Sequence, residues 1–473
     1  MNKTKIIATV GPASQDKDTL RQFFINGVDI IRLNMAFCSY DFCKKIISII
    51  DELNYEMKKN ISIMLDIEGP HVRTFNFQGG SAYFKLGETV RVSKTPVIGD
   101  CTTFSVNYFG FIDDVKCHDV IKLNNGAVQL EITDKDSNYL TCTVVKEGIV
   151  YDKSIVNVPD SKLNIPFLSE NDKKNIVFAH EMNVDFLALS GVTSSEDVLL
   201  VNDMLIELGN DHLGIIAKIE NEKGVEFIDE IIKVSDGIIV SRGDLGAEVP
   251  LERVPGIQKS IVSKCHNVGK VSIVAAQILS SMENSSSPTR AEVSDVANAV
   301  IDGVDAIILS GETTIGKFPV DTLKTIERII HASEHDINYI DLLDKAIRSE
   351  SIDTTGCIAI SVVETANRLK CKTIVTPTIS GQTAKKISRF RPSCPILALS
   401  PDINTIKNLN IYFGIYPVFI QELKTFDKMM NESKGVALSL FDIDIDDRII
   451  ITGGYPFKTT KYTNFMKIED FNE

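Results

Sequence analysis

Ile216–Pro250 reads IAKIENEKGVEFIDEIIKVSDGIIVSRGDLGAEVP, and it contains two strand-like apolar runs that each end in a small charged cluster. Lys218 and Glu220 close the first run, and Asp244, within Arg242-Gly243-Asp244-Leu245-Gly246, closes the second. Between them Val225, Phe227, Ile228, Ile231 and Ile232 recur near the helical period over Glu222–Lys233, so the segment reads strand, helix, strand. In an α/β barrel the carboxyl ends of neighbouring parallel strands share one rim, which would bring Lys218, Glu220 and Asp244 together. Two carboxylates beside a lysine can hold a divalent ion and a phosphoryl group. On charges alone, a plain Lys218–Glu220 salt bridge fits equally well.

Working outward, the same alternation recurs. Strands are expected at Ile6–Val10, Asp29–Leu33, Ile61–Leu65, Phe186–Leu189, Leu213–Ala217, Asp236–Val240, Val271–Ala275 and Ala306–Leu309, which makes the barrel number of eight. Ser169 with Asp172 fits a capping box that opens a helix through His180. From His71 to about Leu163 the pattern changes to short alternating segments with turn signals such as Leu123-Asn124-Asn125-Gly126. The fold class is therefore α/β: a (β/α)8 barrel of the TIM type over 1–70 and 164–345, an inserted β-barrel domain over 71–163, and a C-terminal α/β domain over 346–473. After a helical stretch from Pro319 to Ala346, the last unit is expected to carry strands at Cys357–Val362, Thr373–Thr376, Ile396–Leu399 and Ile449–Thr452.

Composition narrows the function. With 473 residues, 44% of them hydrophobic, and no apolar run of membrane length, the chain reads as a soluble protein. Its polar start, Met1–Lys5, shows no secretory pattern, so the expected compartment is cytoplasmic. Nine cysteines without CxxC spacing suggest reduced structural thiols rather than a disulfide framework or a zinc site. A net charge of −14 argues against nucleic acid and anionic membranes as partners. The densest basic run, Lys385, Lys386, Arg389 and Arg391, reads as a solvated helix face. Gly311–Lys317 approaches a P-loop, but Phe318 occupies the position of the Ser or Thr that should reach magnesium, and we reject it as a nucleotide cradle.

The phrases TKIIATVGPAS (Thr4–Ser14), KIEN (Lys218–Asn221), SDGIIVSRGDLG (Ser235–Gly246) and SPTRAEVSDVANAVIDGVDAIILSGET (Ser287–Thr313) closely resemble the pyruvate kinase family, in order and over nearly the whole chain. The resemblance implies phosphoryl transfer between phosphoenolpyruvate and ADP, which gives pyruvate and ATP. By that resemblance Lys218 faces the transferring phosphoryl group, and Glu220 and Asp244 bind Mg²⁺ or Mn²⁺. The backbone of Arg242, Gly243 and Asp244 holds the substrate carboxylate, while Thr289 lines the face on which the enolate is protonated; read alone, Thr289 is a helix N-cap. Arg32 and Arg73 match arginines that hold phosphate oxygens of substrate or nucleotide, with structural ion pairing as the other reading. Asn34 lies beside the nucleotide and, with Asp66, matches ligands of a monovalent cation, usually K⁺. Thr378, Ser380, Gly381, Gln382 and Thr383 resemble the family's effector loop for a sugar phosphate, overlaid by Gly453–Phe457; a capped turn is the alternative. A homotetramer is implied as well.

Several positions depart from the family pattern. Ala36 and Ile67 replace two of the four oxygen ligands of the monovalent cation, and His71 replaces a glutamate linked to K⁺ dependence, which argues against K⁺ activation. Phe37 stands for a histidine, Glu68 and Asn171 for lysines, Gly191 and Thr193 for a phenylalanine and an arginine, and Asn124 and Asn125 for paired aspartates. These changes motivate an alternative, a catalytically weak paralogue that binds metabolites as a regulatory or structural subunit. A metal-dependent enolate-forming aldolase is a further rival, and binding of ADP discriminates among the three.

Overall fold

Runs such as Lys5–Thr9 and Gly237–Ser241 carry apolar residues on both faces, which suits strands covered on both sides. In the computed structural model, which describes residues 1–471 apart from 125, 160, 162, 211, 349–352, 423–424 and 457–461, the eight expected runs all become strands. They are Lys5–Thr9, Ile30–Asn34, Ser62–Asp66, Phe186–Leu189, Gly214–Ile219, Gly237–Ser241, Val271–Ala275 and Ala306–Leu309, joined in parallel into a closed barrel. Lys5 pairs with Ala306 to close the ring, and Asp66 sits between Asn34 on one side and Ala188 on the other. The helix Glu170–Glu181 starts at a Ser169–Asp172 capping box, as the sequence indicates.

An inserted β unit follows the third strand. Its strands form a six-stranded sheet and a two-stranded ribbon, Ser81–Phe84 with Gly148–Tyr151, around a shared core that includes the packed rings of Phe77, Phe84 and Phe104. Asn124 turns with φ +51°; its neighbour Asn125 lies outside the described residues.

The last unit carries a five-stranded sheet ordered Ile415–Phe419, Ile396–Ser400, Thr373–Pro377, Arg448–Gly453 and Phe465–Asp470, of which only the final pairing is antiparallel. One expected strand is wrong. Cys357–Val362 belongs to the helix Thr354–Leu369, capped by Asp353, and its buried residues Ala359, Val362, Val363 and Ala366 follow the helical spacing i, i+3, i+4, i+7. A six-residue apolar window cannot separate the two periods. The expected helix Glu222–Lys233 is also interrupted at Phe227, giving Glu222–Glu226 and Ile228–Val234.

The basic run is not a solvated face. Arg389 donates to the carbonyls of His266 and Asn267, and Arg391 pairs with Asp305 at 2.8 Å with both side chains almost fully buried. These arginines lie against the amino-terminal mouth of the barrel, because Asp305 immediately precedes the eighth strand. Lys407 faces Asp185, and its carbonyl accepts from the Ser62 hydroxyl. Between these tethers Ile411, 1% exposed, packs among the inward-facing residues Ile7, Ile30, Met64, Ile216 and Ile273 and closes the barrel floor. Among the described residues no helix is long and apolar enough to cross a membrane, and all nine cysteines are free thiols. Ile411→Ala is expected to cost about 2–5 kcal/mol through the cavity it leaves. The check is the urea midpoint, and an unchanged midpoint would remove the plug assignment.

Candidate active site

The opposite mouth of the barrel collects charge. Arg32, Asp66, Lys218 and Glu220 come from the carboxyl ends of the second, third and fifth strands, and each side chain is buried. Asp66 is their hub. Its Oδ2 accepts from Arg32 Nε at 2.8 Å and Nη2 at 2.5 Å, while Oδ1 faces Lys218 Nζ at 3.3 Å and accepts from the Ser190 hydroxyl at 3.1 Å. Lys218 Nζ also donates to Ser190 Oγ at 2.7 Å and pairs with Glu220 Oε1 at 3.0 Å. Arg32 Nη1 donates to the Thr9 hydroxyl at 2.8 Å.

Burial opposes every charge in this cluster, and the partners outweigh it. Burial would raise the Asp66 carboxyl, but Lys218 and Arg32 hold it below the usual carboxylate range. Burial would lower Lys218, yet Asp66 and Glu220 raise it, so the ammonium persists. Glu220 is held well below the carboxylate range by Lys218 and His71. His71 Nε2 lies 2.9 Å from Glu220 Oε2, and the Gly191 amide donates to the same oxygen at 2.6 Å. Gly191 has φ +69°, and a Cβ there would meet Pro70 at 3.0 Å, so a side chain would disturb this contact.

Asp244 joins from the helix Arg242–Glu248, which starts directly after the sixth strand. Its carboxylate accepts from Ser241 Oγ at 2.6 Å and is raised by burial and then by the charge of Glu220. The Arg242 side chain points away from this cluster and clamps the carbonyls of Ala276 and Gln277 and the carboxylate of Asp295, so only the backbone of Arg242 and Gly243 is available to a ligand. A cleft of about 790 Å³ opens here, lined by Glu220, Asp244 and Glu248 from the barrel side and by His71, Asn157 and Val158 from the insert.

A second cavity of about 530 Å³ lies beside it, lined by Phe37, Tyr40, Glu68, Arg73, Asn107 and Asn171 among others. Glu68 accepts from Asn171 Nδ2 at 2.7 Å. The Arg73 guanidinium stands over the exposed Phe37 ring at 5.6 Å, donates to the Lys153 carbonyl, and leaves its buried Nε without a partner. Asn34 Oδ1 accepts from the Ala36 amide, which fixes the loop that lines this cavity.

The remaining expected residues stand apart from the cluster. Thr289 caps the helix Arg290–Ile301 and exchanges hydrogen bonds with Glu292. Thr193 does line the cleft, where its amide and hydroxyl donate to Asp197 just ahead of the helix Ser195–Glu207, whose N-cap is Ser194. In the C-terminal unit the Gly381 amide donates to Thr378 Oγ1, Gly381 adopts φ +76° before the helix Gln382–Arg389, and Thr383 Oγ1 bonds Thr463 Oγ1 at 2.8 Å. Of the segment expected to overlie this loop, Gly453–Pro456 is described and Phe457 lies outside the described residues.

Ser190 and the His71–Glu220 contact escape the sequence reading. Ser190 had a signal, because it directly follows the fourth barrel strand at its carboxyl end, where barrel sites are built. The His71 contact depends on how the insert's entry folds over the rim, which periodicity does not report.

Two family profiles match the chain: "Pyruvate kinase, barrel domain" over residues 1–323 and "Pyruvate kinase, alpha/beta domain" over residues 357–469. Among curated relatives, the pyruvate kinase of Clostridium perfringens is 38% identical over 473 residues, covering 99% of this chain and 100% of the relative. That of Bacillus licheniformis is 40% identical over 470 residues, covering 99% of this chain and 80% of the relative. That of Geobacillus stearothermophilus is 38% identical over 468 residues, covering 98% and 80%.

Asp66→Asn would leave Arg32 and Lys218 buried against a neutral amide. It is expected to destabilise the chain by about 3 kcal/mol or more. Equilibrium unfolding in urea measures this, and a wild-type midpoint would show that Asp66 is not the hub of the cluster.

Proposed function

Because the chain belongs to the pyruvate kinase family, whose substrates are phosphoenolpyruvate and ADP, we propose that phosphoryl transfer runs over the cluster centred on Lys218. The observation that carries this reading is the buried Asp66–Lys218–Glu220 arrangement at the carboxyl rim, with Asp244 within electrostatic reach and the cleft alongside. Lys218, kept cationic by two carboxylates, would offset charge on the phosphoryl group as it passes from the enolate oxygen to ADP. Arg32, fixed by Asp66 and Thr9, would hold a phosphate oxygen without having to be ordered on binding. The backbone amides of Gly243 and Asp244 would take the substrate carboxylate. Thr289, exposed at its cap, would line the face where the enolate gains a proton, and Arg73 with Asn34 would serve the nucleotide.

Glu220 and Asp244 would hold Mg²⁺ or Mn²⁺. The donor set fits, because Glu220 Oε1 is buried without a hydrogen bond and faces only the Lys218 charge. With two carboxylates from the chain, such an ion would take its other ligands from substrate and water. Such an ion supplies charge neutralisation for the phosphoryl and enolate oxygens. The residues do not fit K⁺. Asp66 is committed to Arg32, Lys218 and Ser190, Asn34 Oδ1 to Ala36, and the other two positions are the apolar Ala36 and Ile67.

We further read the insert as a lid over this cleft, the Thr378–Thr383 loop as a sugar-phosphate site at the amino terminus of the helix Gln382–Arg389, and the assembly as a homotetramer.

Pyruvate formation from phosphoenolpyruvate, ADP and Mg²⁺ tests the core of this reading. Lys218→Met should lower kcat by about a hundredfold or more while the protein stays folded. Absence of turnover in folded wild-type protein with any nucleoside diphosphate would overturn it. Replacing K⁺ by tetramethylammonium should leave the rate unchanged, and a K⁺ requirement would contradict the misfit at Ala36 and Ile67. In the second cavity Glu68 repels nucleotide phosphate, so Glu68→Lys should tighten ADP binding roughly tenfold, about 1.4 kcal/mol, by calorimetric titration.

A further inference from the structure

The helix Arg242–Glu248 has fewer than two turns, carries Asp244 in its first turn, and is gripped at its other end by the insert. Lys122 Nζ donates to the Ala247 carbonyl at 2.6 Å, and Asn157 Nδ2 donates to Glu248 Oε1 at 2.7 Å. These two donors are not independent. Lys122 and Asn157 lie on adjacent antiparallel strands, Val120–Leu123 and Val156–Asn157, and are direct cross-strand partners. Side chains opposite one another on a sheet project from the same face, so both reach the helix together.

The chemistry of each prong suits its target. A lysine on the last carbonyls of a helix satisfies an acceptor that the helix itself leaves open and complements the negative end of its dipole. Burial raises the Glu248 carboxyl, and the Asn157 hydrogen bond and then the Lys122 charge act against that rise. The Asn157 amide is committed to Glu248 alone, since its Oδ1 is buried without a partner. At the other end, Asp244 is held by a single side-chain bond from Ser241. Arg242 and the buried Leu245 fix the start and middle of this short helix to the barrel, which leaves its last turn, Ala247 and Glu248, to the two anchors on the insert.

We propose that Lys122 and Asn157 are positioning residues that form a two-pronged latch, through which the seated insert sets the helix carrying Asp244. The inference rests on the functional reading above only in the role it gives Asp244. When the latch opens, two of the helix's tethers are lost at once and Glu248 loses the influence of the Lys122 charge. Seating of the insert and placement of the Asp244 carboxylate thus become one event.

Amide hydrogen exchange of the full chain, without substrate, reads the latch directly. Lys122→Met and Asn157→Ala should each speed exchange about tenfold in peptides covering 120–123 and 242–249 and leave the barrel floor around 303–309 unchanged. Lys122→Arg, which keeps a donor and a charge, should restore slow exchange. With phosphoenolpyruvate and ADP, Lys122→Met should raise the half-saturating Mg²⁺ concentration and lower kcat, each by about tenfold, with little change in KM for ADP. Unchanged exchange at 242–249 in both variants would overturn the latch whatever the activity. So would faster exchange spread over the whole chain, or a variant whose Mg²⁺ dependence matches wild type. A wild-type protein without turnover would sink the functional reading and leave the exchange result as the judgement on the latch.

Discussion

One carboxylate organises the rim. Asp66 is nearly inaccessible to solvent and has two cations against it, Arg32 on one oxygen and Lys218 on the other. Burying any one of these charges alone is costly, and removing one partner from such a set is worse than never having buried it. The arrangement therefore holds as a unit. Barrel register puts Asp66 between Asn34 and Ala188, so its neighbours across the sheet are the strands that deliver Arg32 and Ser190. Geometry in the cluster follows from the hydrogen-bonded ring of strands rather than from flexible loops, which is what a site that acts by placing charge requires.

Against that fixed hub, the unusual residues of this chain fall into a pattern. Ala36 and Ile67 remove oxygen from the rim, and the protein's own cations already occupy Asp66. His71 adds a nitrogen at Glu220, where it helps to keep that carboxylate ionised. In the neighbouring cavity the trend reverses, with Glu68 hydrogen-bonded to Asn171 and the Phe37 ring under Arg73. Positive charge is thus gathered at the Lys218 cluster and thinned in the neighbouring cavity around Glu68.

The eight barrel strands were legible because strands buried on both faces must be apolar throughout, and Ile238-Ile239-Val240 or Ile307-Ile308-Leu309 has few other ways to be buried. The same rule misleads at Cys357–Val362, an apolar run that is one face of a longer helix. It also passes over Ile415–Phe419, an edge strand interrupted by Pro417 and partly exposed. Charged residues at strand ends could be picked out, and Arg32, Asp66, Lys218 and Glu220 do meet. The partners of those charges could not. Ser190 and His71 become neighbours of the cluster only through barrel register and the path of the insert. Arg389 and Arg391 look like surface charge until the C-terminal unit is docked on His266 and Asp305.

The barrel floor has a consequence for the order in which the chain is made. Ile411 seals the inner core beneath the strands, yet it is synthesised well after Leu309 completes the last of them. A chain emerging from the ribosome can close its ring of strands and still present an apolar mouth, ringed by Asp185 and Asp305 without Lys407 and Arg391. Vectorial synthesis thus creates an interval in which the barrel is complete in topology but open at its base, a surface of the kind that chaperones cover. The C-terminal unit, through Ile411, Lys407 and Arg391, supplies the cover for that base.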